Sequence, residues 1–366
     1  MFEMNTTNTD LMSYFESLGY KTESLNGSKT IAQFAQLEDE CFSLNNGVGL
    51  KYHNSFGIIE LKGNDSLDFL HRITTNSLKE IKKEEIRKTI FTNEKGRILG
   101  VAAVFNFESY LLLITGNSSK QKIISWINKY IIGDDVKVSD ASHRFNILEL
   151  LGPQADSFIM LICGDAANEI NQNTFKVVNA DGILFFLAKL KDLNGNNKYW
   201  ILADDDNGRK LIDYMISHKG PFNFNLIGDV TFDIHRIEKG IPADPNELND
   251  AFNPHEAKLI DLVDFKKGCY IGQEVIARLD SYDKVQKYLM GVVFPELIET
   301  NEHFTLLDNE QQEVGIITSV GYSLRMKKHI GLAYIKKDFA ESGTKLLAKN
   351  DNRKLEVTVN ELPFTK

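Results

Sequence analysis

The chain has 366 residues, of which 42% are hydrophobic and 25% charged, so a packed core spread over two or three domains is expected. A formal net charge of −9 argues against a general nucleic-acid binder, which presents a basic face, while leaving room for a local basic pocket. No stretch reaches the length of a membrane-crossing helix. MFEMNTTNTDLMSYFESLGY lacks the basic and apolar regions of a secretory signal, so a cytoplasmic protein is expected.

Residues 1–45 read as a polar, helical N-terminal segment. From Phe56, FGIIELKG alternates as a strand and turns at Gly63. Asp65 or Ser66 then caps a predicted helix whose apolar face carries Leu67, Leu70 and Ile73. KEIKKEEIRK, Lys79 to Lys88, is mixed in sign and reads as an exposed helix or loop. TNEKGRILGVAAVFNF reads as a hairpin that turns at Asn93 to Gly96, its second strand running through Val104. SSKQKIISWINKYIIG is an amphipathic helix, capped by Ser118 or Ser119 and stopped at Gly133. FNILELLGP and KYWILADD read as strands, each followed by a helix, ADSFIMLI and NGRKLIDYMISH. Hairpins within this alternation predict α+β subdomains with antiparallel sheets, not a doubly wound parallel sheet. After Lys287 the texture changes. KYLMGVVF, EVGIITSVG, HIGLAYI, TKLLAKN and KLEVTVNEL are short strands with no helix between them, which predicts a small β-barrel or sandwich. The expected domains are 1–45, 46–287 and 288–366. GYSLRMKKH, Gly321 to His329, is either a solvated turn or a basic contact for an acidic group.

Cys41, Cys163 and Cys269 lie more than a hundred residues apart, with no C-x-x-C and no Cys/His cluster, so neither a metal site nor a disulfide is expected. One cysteine sits in unusual company: KKGCYIGQEVIAR, Lys266 to Arg278. An unpaired cysteine is ordinarily a small buried hydrophobe. Lys266 and Lys267, however, would favour a thiolate if their ammonium groups approach the sulfur. Gly268 and Gly272 allow sharp turns and close approach by another molecule. Tyr270, Gln273, Glu274 and Arg278 add hydrogen-bonding groups.

This motif and its surroundings resemble the YgfZ branch of the GcvT superfamily, named after the T-protein of the glycine cleavage system. K-G-C-Y-x-G-Q-E is that branch's signature, and Lys267 to Glu274 match it without a break. GIIELKGNDSLDFLHRITTNSL resembles the family's first strand and helix, and ELLGPQA the turn that opens its second subdomain. RIEKGIPADPNELNDAFNPHEA resembles its R-x-E-x-G and T-P-x-E-A elements, and VGIITSVGYSLRMKKHIGLAYI its C-terminal barrel. The implied fold is α+β: a GcvT-like ring of subdomains around a central tetrahydrofolate site, plus a C-terminal β-barrel. The implied role is maturation and repair of iron–sulfur enzymes, including ones that thiolate transfer RNA. The expected partners are therefore a folate and iron–sulfur assembly proteins or their clients, with no direct nucleic acid and no membrane. The resemblance also raises Cys269 from a packing residue to a working thiol, with Lys267 beside it; one cysteine cannot by itself hold a cluster.

The superfamily contains enzymes and non-enzymes. In its aminomethyltransferases the hairpin after the first helix reads about N-E-x-G-G-I-x-D-D, and one aspartate is catalytic beside the folate nitrogen that accepts the one-carbon unit. A carboxylate suits that place because it can orient the cofactor and stabilise a developing positive charge. Here Gly100 and Val101 stand at the two aspartate positions. Transferase chemistry is expected to be lost unless another carboxylate reaches in. Arg97, in the same hairpin, is a candidate cofactor contact. Asn196 falls where the family's pterin-binding glutamate would be; an amide offers one acceptor oxygen and no charge, so weaker folate binding is expected. Arg236 and Glu238, in the R-x-E-x-G element, are either a structural ion pair or pocket residues. The expected function is a tetrahydrofolate-binding accessory protein of iron–sulfur assembly or repair that acts through Cys269 without transferase activity. The alternative is a tetrahydrofolate-dependent aminomethyltransferase or methyltransferase of the glycine cleavage T-protein type.

Overall fold

In a computed structural model, which describes residues 10–25, 28–191, 195–281, 284–298, 304–351 and 353–364, the chain opens on helix α1 (Leu11–Ser17). A short hairpin, β1 (Glu23–Leu25) and β2 (Ser28–Thr30), then α2 (Leu37–Asn46) and β3 (Val48–Tyr52) follow. Next come β4 (Phe56–Lys62), α3 (Ser66–Ile73), β5 (Ile86–Thr92), β6 (Ile98–Asn106), β7 (Leu111–Gly116), α4 (Asn117–Tyr130) and β8 (Lys137–Asp140). The chain continues through β9 (Asn146–Leu151), α5 (Ala155–Cys163), β10 (Thr174–Ala180), β11 (Ile183–Lys191), β12 (Asn197–Ala203), α6 (Asp205–Ser217) and β13 (Phe224–Ile227). Helices α7 (Asp229–Glu238) and α8 (Gln273–Ser281) precede six strands: β14 (Lys287–Val293), β15 (Phe304–Leu307), β16 (Glu313–Ser323), β17 (Lys328–Lys336), β18 (Lys345–Lys349) and β19 (Lys354–Asn360).

These elements form two units, residues 1–56 with 141–232, and residues 57–140 with 233–366. The first is built on a six-stranded sheet of order β10-β11-β12-β9-β3-β13, antiparallel except where β13 runs parallel to β3. Leu50, Leu148, Leu150, Leu187 and Ile201 share a core with Phe158 and Ile159 of α5 and Leu211 of α6. The alternate strand positions carry buried charge instead. Glu149 lies between Lys51 and Trp200 in register, pairs with His53 at 2.5 Å and Lys198 at 2.6 Å, and Lys51 pairs with Asp229 at 2.8 Å. Burial opposes the charge on Glu149, but Lys198 and His53 hold its carboxyl below the usual range.

The second unit combines a five-stranded sheet, β5-β6-β7-β4-β8, with a closed six-stranded barrel, β14-β17-β16-β15-β18-β19. Phe69, Leu70 and Ile73 of α3 and Ile123 and Ile127 of α4 pack with Ile59, Leu61, Ala102 and Val104. Ile90, Ile98 and Val101 belong to a different cluster, with Ile237, Phe252, Tyr270, Ile276 and the barrel residues Leu289, Ile330 and Tyr334. Side chains alternate along β6, so Gly100 and Val101 address different surroundings.

The α+β class and the barrel agree with the sequence-based expectation. Several local readings need correction. The N-terminal segment is not simply polar and helical: it contains a hairpin, and Leu11 and Phe15 are fully buried in the first unit's core. Helix α4 begins at Asn117, with Gly116 at its N-cap and Ile131 at its C-cap, so neither serine is the N-cap and the helix ends before Gly133. Asp65 is the N-cap residue of α3, yet its carboxylate makes no cap bond and instead accepts from the backbone N–H of Asp135. Phe69 joins Leu70 and Ile73 in burial, while Leu67 is only partly covered. KEIKKEEIRK is loop through Glu85 and strand β5 from Ile86. GYSLRMKKH is the turn between β16 and β17, with Arg325, Lys327 and Lys328 exposed and His329 buried.

Candidate functional site

The loop that carries Cys269 is fixed at two points within the second unit. The first is Lys267. Its ammonium group donates to the carbonyl oxygens of His71, Thr74 (2.6 Å) and Asn76 (2.9 Å), which lie at the last turn of α3 and just beyond it. A cation at that end satisfies carbonyls left without intrahelical partners and complements the helix dipole. The same ammonium lies 5.1 Å from the centre of the Tyr270 ring. Burial pulls its pKa down to about 8. Lys267 is thus spent on α3, and the expectation that it favours a thiolate by proximity gives way to a mechanical role. Lys267→Met is expected to lower stability by about 2–3 kcal/mol, because three carbonyls lose a charged donor. Urea unfolding measures this; a loss under about 0.5 kcal/mol would show that the clamp is dispensable.

The second point is Gly272. Its φ is +84°, and a Cβ there would sit 2.5 Å from the carbonyl oxygen of Asn93 and 3.1 Å from Cα of Gly96. Only glycine fits both the conformation and the contact. Thr92 Oγ1 donates to the Ile271 carbonyl at 2.7 Å, tying the same place to β5. The motif therefore lies directly on the Asn93–Gly96 turn. Gly268 needs no such freedom: its φ is not left-handed and a Cβ would meet nothing within 4 Å.

Between these anchors Cys269 is exposed, whereas Cys41 and Cys163 are half-buried. Burial pushes the Cys163 thiol up to about 12. Tyr270 points inward, its ring among Phe252, Ile276 and Tyr334, and its hydroxyl is buried without a hydrogen-bond partner. Gln273 opens α8, and Glu274 and Arg278 are exposed along it.

The hairpin beneath the motif holds the two positions on which transferase chemistry would depend. A Cβ at Gly100 would lie 2.8 Å from Cβ and 3.1 Å from Oγ of Ser119, and 2.9 Å from Cδ1 of Ile123. Helix α4 thus closes over Gly100 and leaves no room for a carboxylate. Val101 belongs to the apolar cluster on the other side. A different carboxylate does come close to Gly100. Asp244 accepts from Ser119 Oγ at 2.6 Å, and a Cβ at Gly116 would collide with it. Burial raises its pKa, while bonds from Ser119 and Ser118 oppose the rise. Arg97 extends from the turn to Glu256 Oε2 (3.0 Å) and the Ala251 carbonyl (3.0 Å), and stays partly exposed.

Arg236 and Glu238 do not pair with each other. The Arg236 guanidinium meets Asp233 at 2.5 Å, Glu247 at 3.0 Å and Ser319 Oγ at 2.7 Å, and its side chain is 6% exposed. Glu247 in turn accepts from Ser319 Oγ at 2.7 Å and from the backbone N–H of Ala243. Glu238 accepts from Ser323 Oγ at 2.5 Å. This network ties α7 and the 241–247 loop to strand β16 of the barrel. The Arg236 guanidinium is engaged by protein partners on several sides, and Glu238 is engaged through one carboxylate oxygen. Asn196 lies in the first unit, exposed, just before β12. Among the described residues no group of three or more His, Cys, Asp or Glu is placed to hold a metal ion.

The GCVT N-terminal domain family matches residues 9–267, and the glycine cleavage T-protein C-terminal barrel domain matches residues 287–366. The chain belongs to the GcvT superfamily. An aminomethyltransferase of Desulfitobacterium hafniense is 26% identical over 92% of this chain and 92% of its own. One of Bacillus mycoides is 26% identical over 98% of each. The crystal structure of glycine cleavage system aminomethyltransferase T from Bartonella henselae shares the GcvT fold, with a TM-score of 0.82 over 97% of both chains at 18% identity.

Within this GcvT chain Gly272 packs on the Asn93–Gly96 turn and Tyr270 shares an apolar cluster with Val101, while Lys267 reaches the end of α3. Sequence reasoning did not name Asp244, Glu247 or Glu256, and offered Ser119 only as a helix cap. Glu247 and Glu256 lie in the segment RIEKGIPADPNELNDAFNPHEA, whose resemblance was visible. Which of its acidic residues would meet Arg236 or Arg97 depends on how an irregular loop folds, and local sequence carries no signal for that.

Proposed function

We propose that this GcvT-superfamily protein belongs to the YgfZ branch and is a cytoplasmic, tetrahydrofolate-binding accessory factor in the assembly or repair of iron–sulfur proteins, working through Cys269 rather than by one-carbon transfer. The observation that carries this reading is the pairing of an exposed thiol with a hairpin whose two key positions, Gly100 and Val101, hold no carboxylate and are closed by Ser119, Ile123 and apolar neighbours. Superfamily membership supports a folate site. Arg97 is partly exposed beside Glu256, and Arg236 and Glu238 act by positioning the loop and barrel. Tetrahydrofolate would supply a one-carbon or redox-active pterin when bound; the protein's residues bind and orient it.

The aminomethyltransferase reading has two supports: the names of the relatives, and Asp244, a half-buried carboxyl one contact away from Gly100. One assay separates the two. With tetrahydrofolate and aminomethylated H-protein of the glycine cleavage system, the pure protein is expected to release no ammonia above background, while folate quenches its tryptophan fluorescence. Turnover on the ordinary enzyme scale, about 1 per second or more, that vanishes in Asp244→Asn would establish the transferase instead.

A further inference from the structure

Three cations stand together on the turn between β16 and β17. Arg325, Lys327 and Lys328 are exposed, and among the described residues none of them forms an ion pair or a side-chain hydrogen bond. The chain has a formal charge of −9, and exposed lysines elsewhere on it find carboxylates, as Lys345 does with Glu356 at 2.7 Å and Lys210 with Asp206 at 2.8 Å. The backbone beneath the turn is fixed. Ser323 faces Lys328 in the ladder. Its hydroxyl donates to Glu238 Oε1 at 2.5 Å and accepts from the backbone N–H of Met326 at 3.0 Å. Met326 packs against the apolar cluster that contains Ile237 and Ile330, so it turns inward while the three cations face solvent. Lys327 has a φ of +54°, a conformation that suits glycine or asparagine and strains a longer side chain. A neighbouring segment completes the surface. His329 accepts at Nδ1 from the backbone N–H of Ile298 (3.3 Å), and its carbonyl accepts from that of Phe294 (3.0 Å). Residues 294–298 therefore lie against the base of the turn, and Leu297 among them is 71% exposed. Of the carboxylates in this region, Glu238 is buried beneath Ser323 and Glu296 lies 3.8 Å from Arg353.

We propose that this turn, with Leu297 beside it, is a docking surface for an acidic segment of a partner protein that carries an apolar side chain among its carboxylates. Charge complementarity selects the partner: three cations without acidic neighbours attract carboxylates, while the rest of the chain is negative. A single change to glycine or asparagine would relieve the strain at Lys327, so its retention ties the cation rather than the turn to a role. A short acidic segment engages only the tip. A nucleic acid, a long polyanion, would run on over a negative surface that repels it. The proposal does not depend on the folate or thiol reading.

Fluorescence anisotropy with the full chain at about 50 mM salt, where screening is modest, tests it. The probes are a short labelled oligoglutamate peptide with a central leucine, the same peptide with glutamine for every glutamate, and a single-stranded RNA of equal length. The glutamate peptide is expected to bind, more weakly as salt rises, and the glutamine peptide not to bind. The Arg325→Ser/Lys327→Asn/Lys328→Ser variant should bind the glutamate peptide about tenfold more weakly or worse, and Leu297→Ser about threefold more weakly. Lys327→Asn alone should melt no lower than the wild type, because asparagine tolerates a positive φ, yet bind about threefold more weakly; it carries the test should the triple variant fail to fold. Lys345→Gln, elsewhere on the barrel, should leave the affinity unchanged. The proposal is overturned if the glutamate peptide does not bind, if the glutamine peptide binds as well, if the RNA binds more tightly, or if the turn variants bind like the wild type. A Lys327→Asn protein that melts lower than the wild type would also overturn it, since the lysine would then serve the turn itself.

Discussion

Cells lacking the native protein should remain deficient in the affected iron–sulfur enzyme activity when given Cys269→Ala or Cys269→Ser, although both variants fold normally. The thiol is exposed, and an accessible side chain contributes few packing contacts, so the stability change should stay within about 0.5 kcal/mol. The loop around it is held by the Lys267 clamp and by Gly272 on the hairpin turn, neither of which involves the sulfur. A functional collapse without a structural one is the signature of a working group. Cys163→Ala should behave in the opposite way: full complementation, with some loss of stability from a half-buried site. A maleimide probe on the folded wild type should modify Cys269 first, because the Cys163 thiol is held near 12 by burial and the thiolate is the reactive form. Full complementation by Cys269→Ala would remove the thiol from the mechanism and leave the accessory reading without its reagent.

Glu247→Ala is expected to cost about 3–5 kcal/mol. Glu247 is fully buried, and so is nearly all of Arg236. Removing the carboxylate strands a guanidinium that, among the described residues, only Asp233, the Ser319 hydroxyl and the Ile241 carbonyl still partner. The joint replacement Arg236→Met/Glu247→Leu should cost clearly less than the sum of the single changes, because no buried charge is left unpaired. Guanidinium unfolding of the four proteins completes the cycle. Additive losses would mean that Arg236 and Glu247 do not act as a pair, and a stable Glu247→Ala that fails only to bind folate would return Arg236 to the role of a cofactor ligand.

Much of this molecule was legible in the sequence because its signals are local. Alternation along FGIIELKG, the turn in TNEKGR and the run of short strands after Lys287 are periodic patterns, and burial of one face enforces them. Helix ends were read less well. Ser118 and Ser119 look like caps, but Ser119 is recruited by Asp244, which lies 125 positions away in the chain. Leu11 and Phe15 sit in a polar stretch, and only packing against the six-stranded sheet reveals them as core. β15 is four residues long and would be marginal alone; closing the barrel gives it partners on both sides, β16 and β18.

By itself the sequence determined the class of fold, the barrel, the motif around Cys269 and the absence of carboxylates at positions 100 and 101, since each is a matter of residue identity at a place or of periodicity over a few turns. The tertiary structure alone decided what those residues touch. It turned Lys267 from a neighbour of the thiol into the clamp on α3, separated Arg236 from Glu238 and gave it Glu247, and packed α4 over Gly100. The reason is physical: long polar side chains reach roughly 6 Å or more from their backbone, and whichever partner lies within that radius is fixed by contacts between distant segments, whose burial specifies the register.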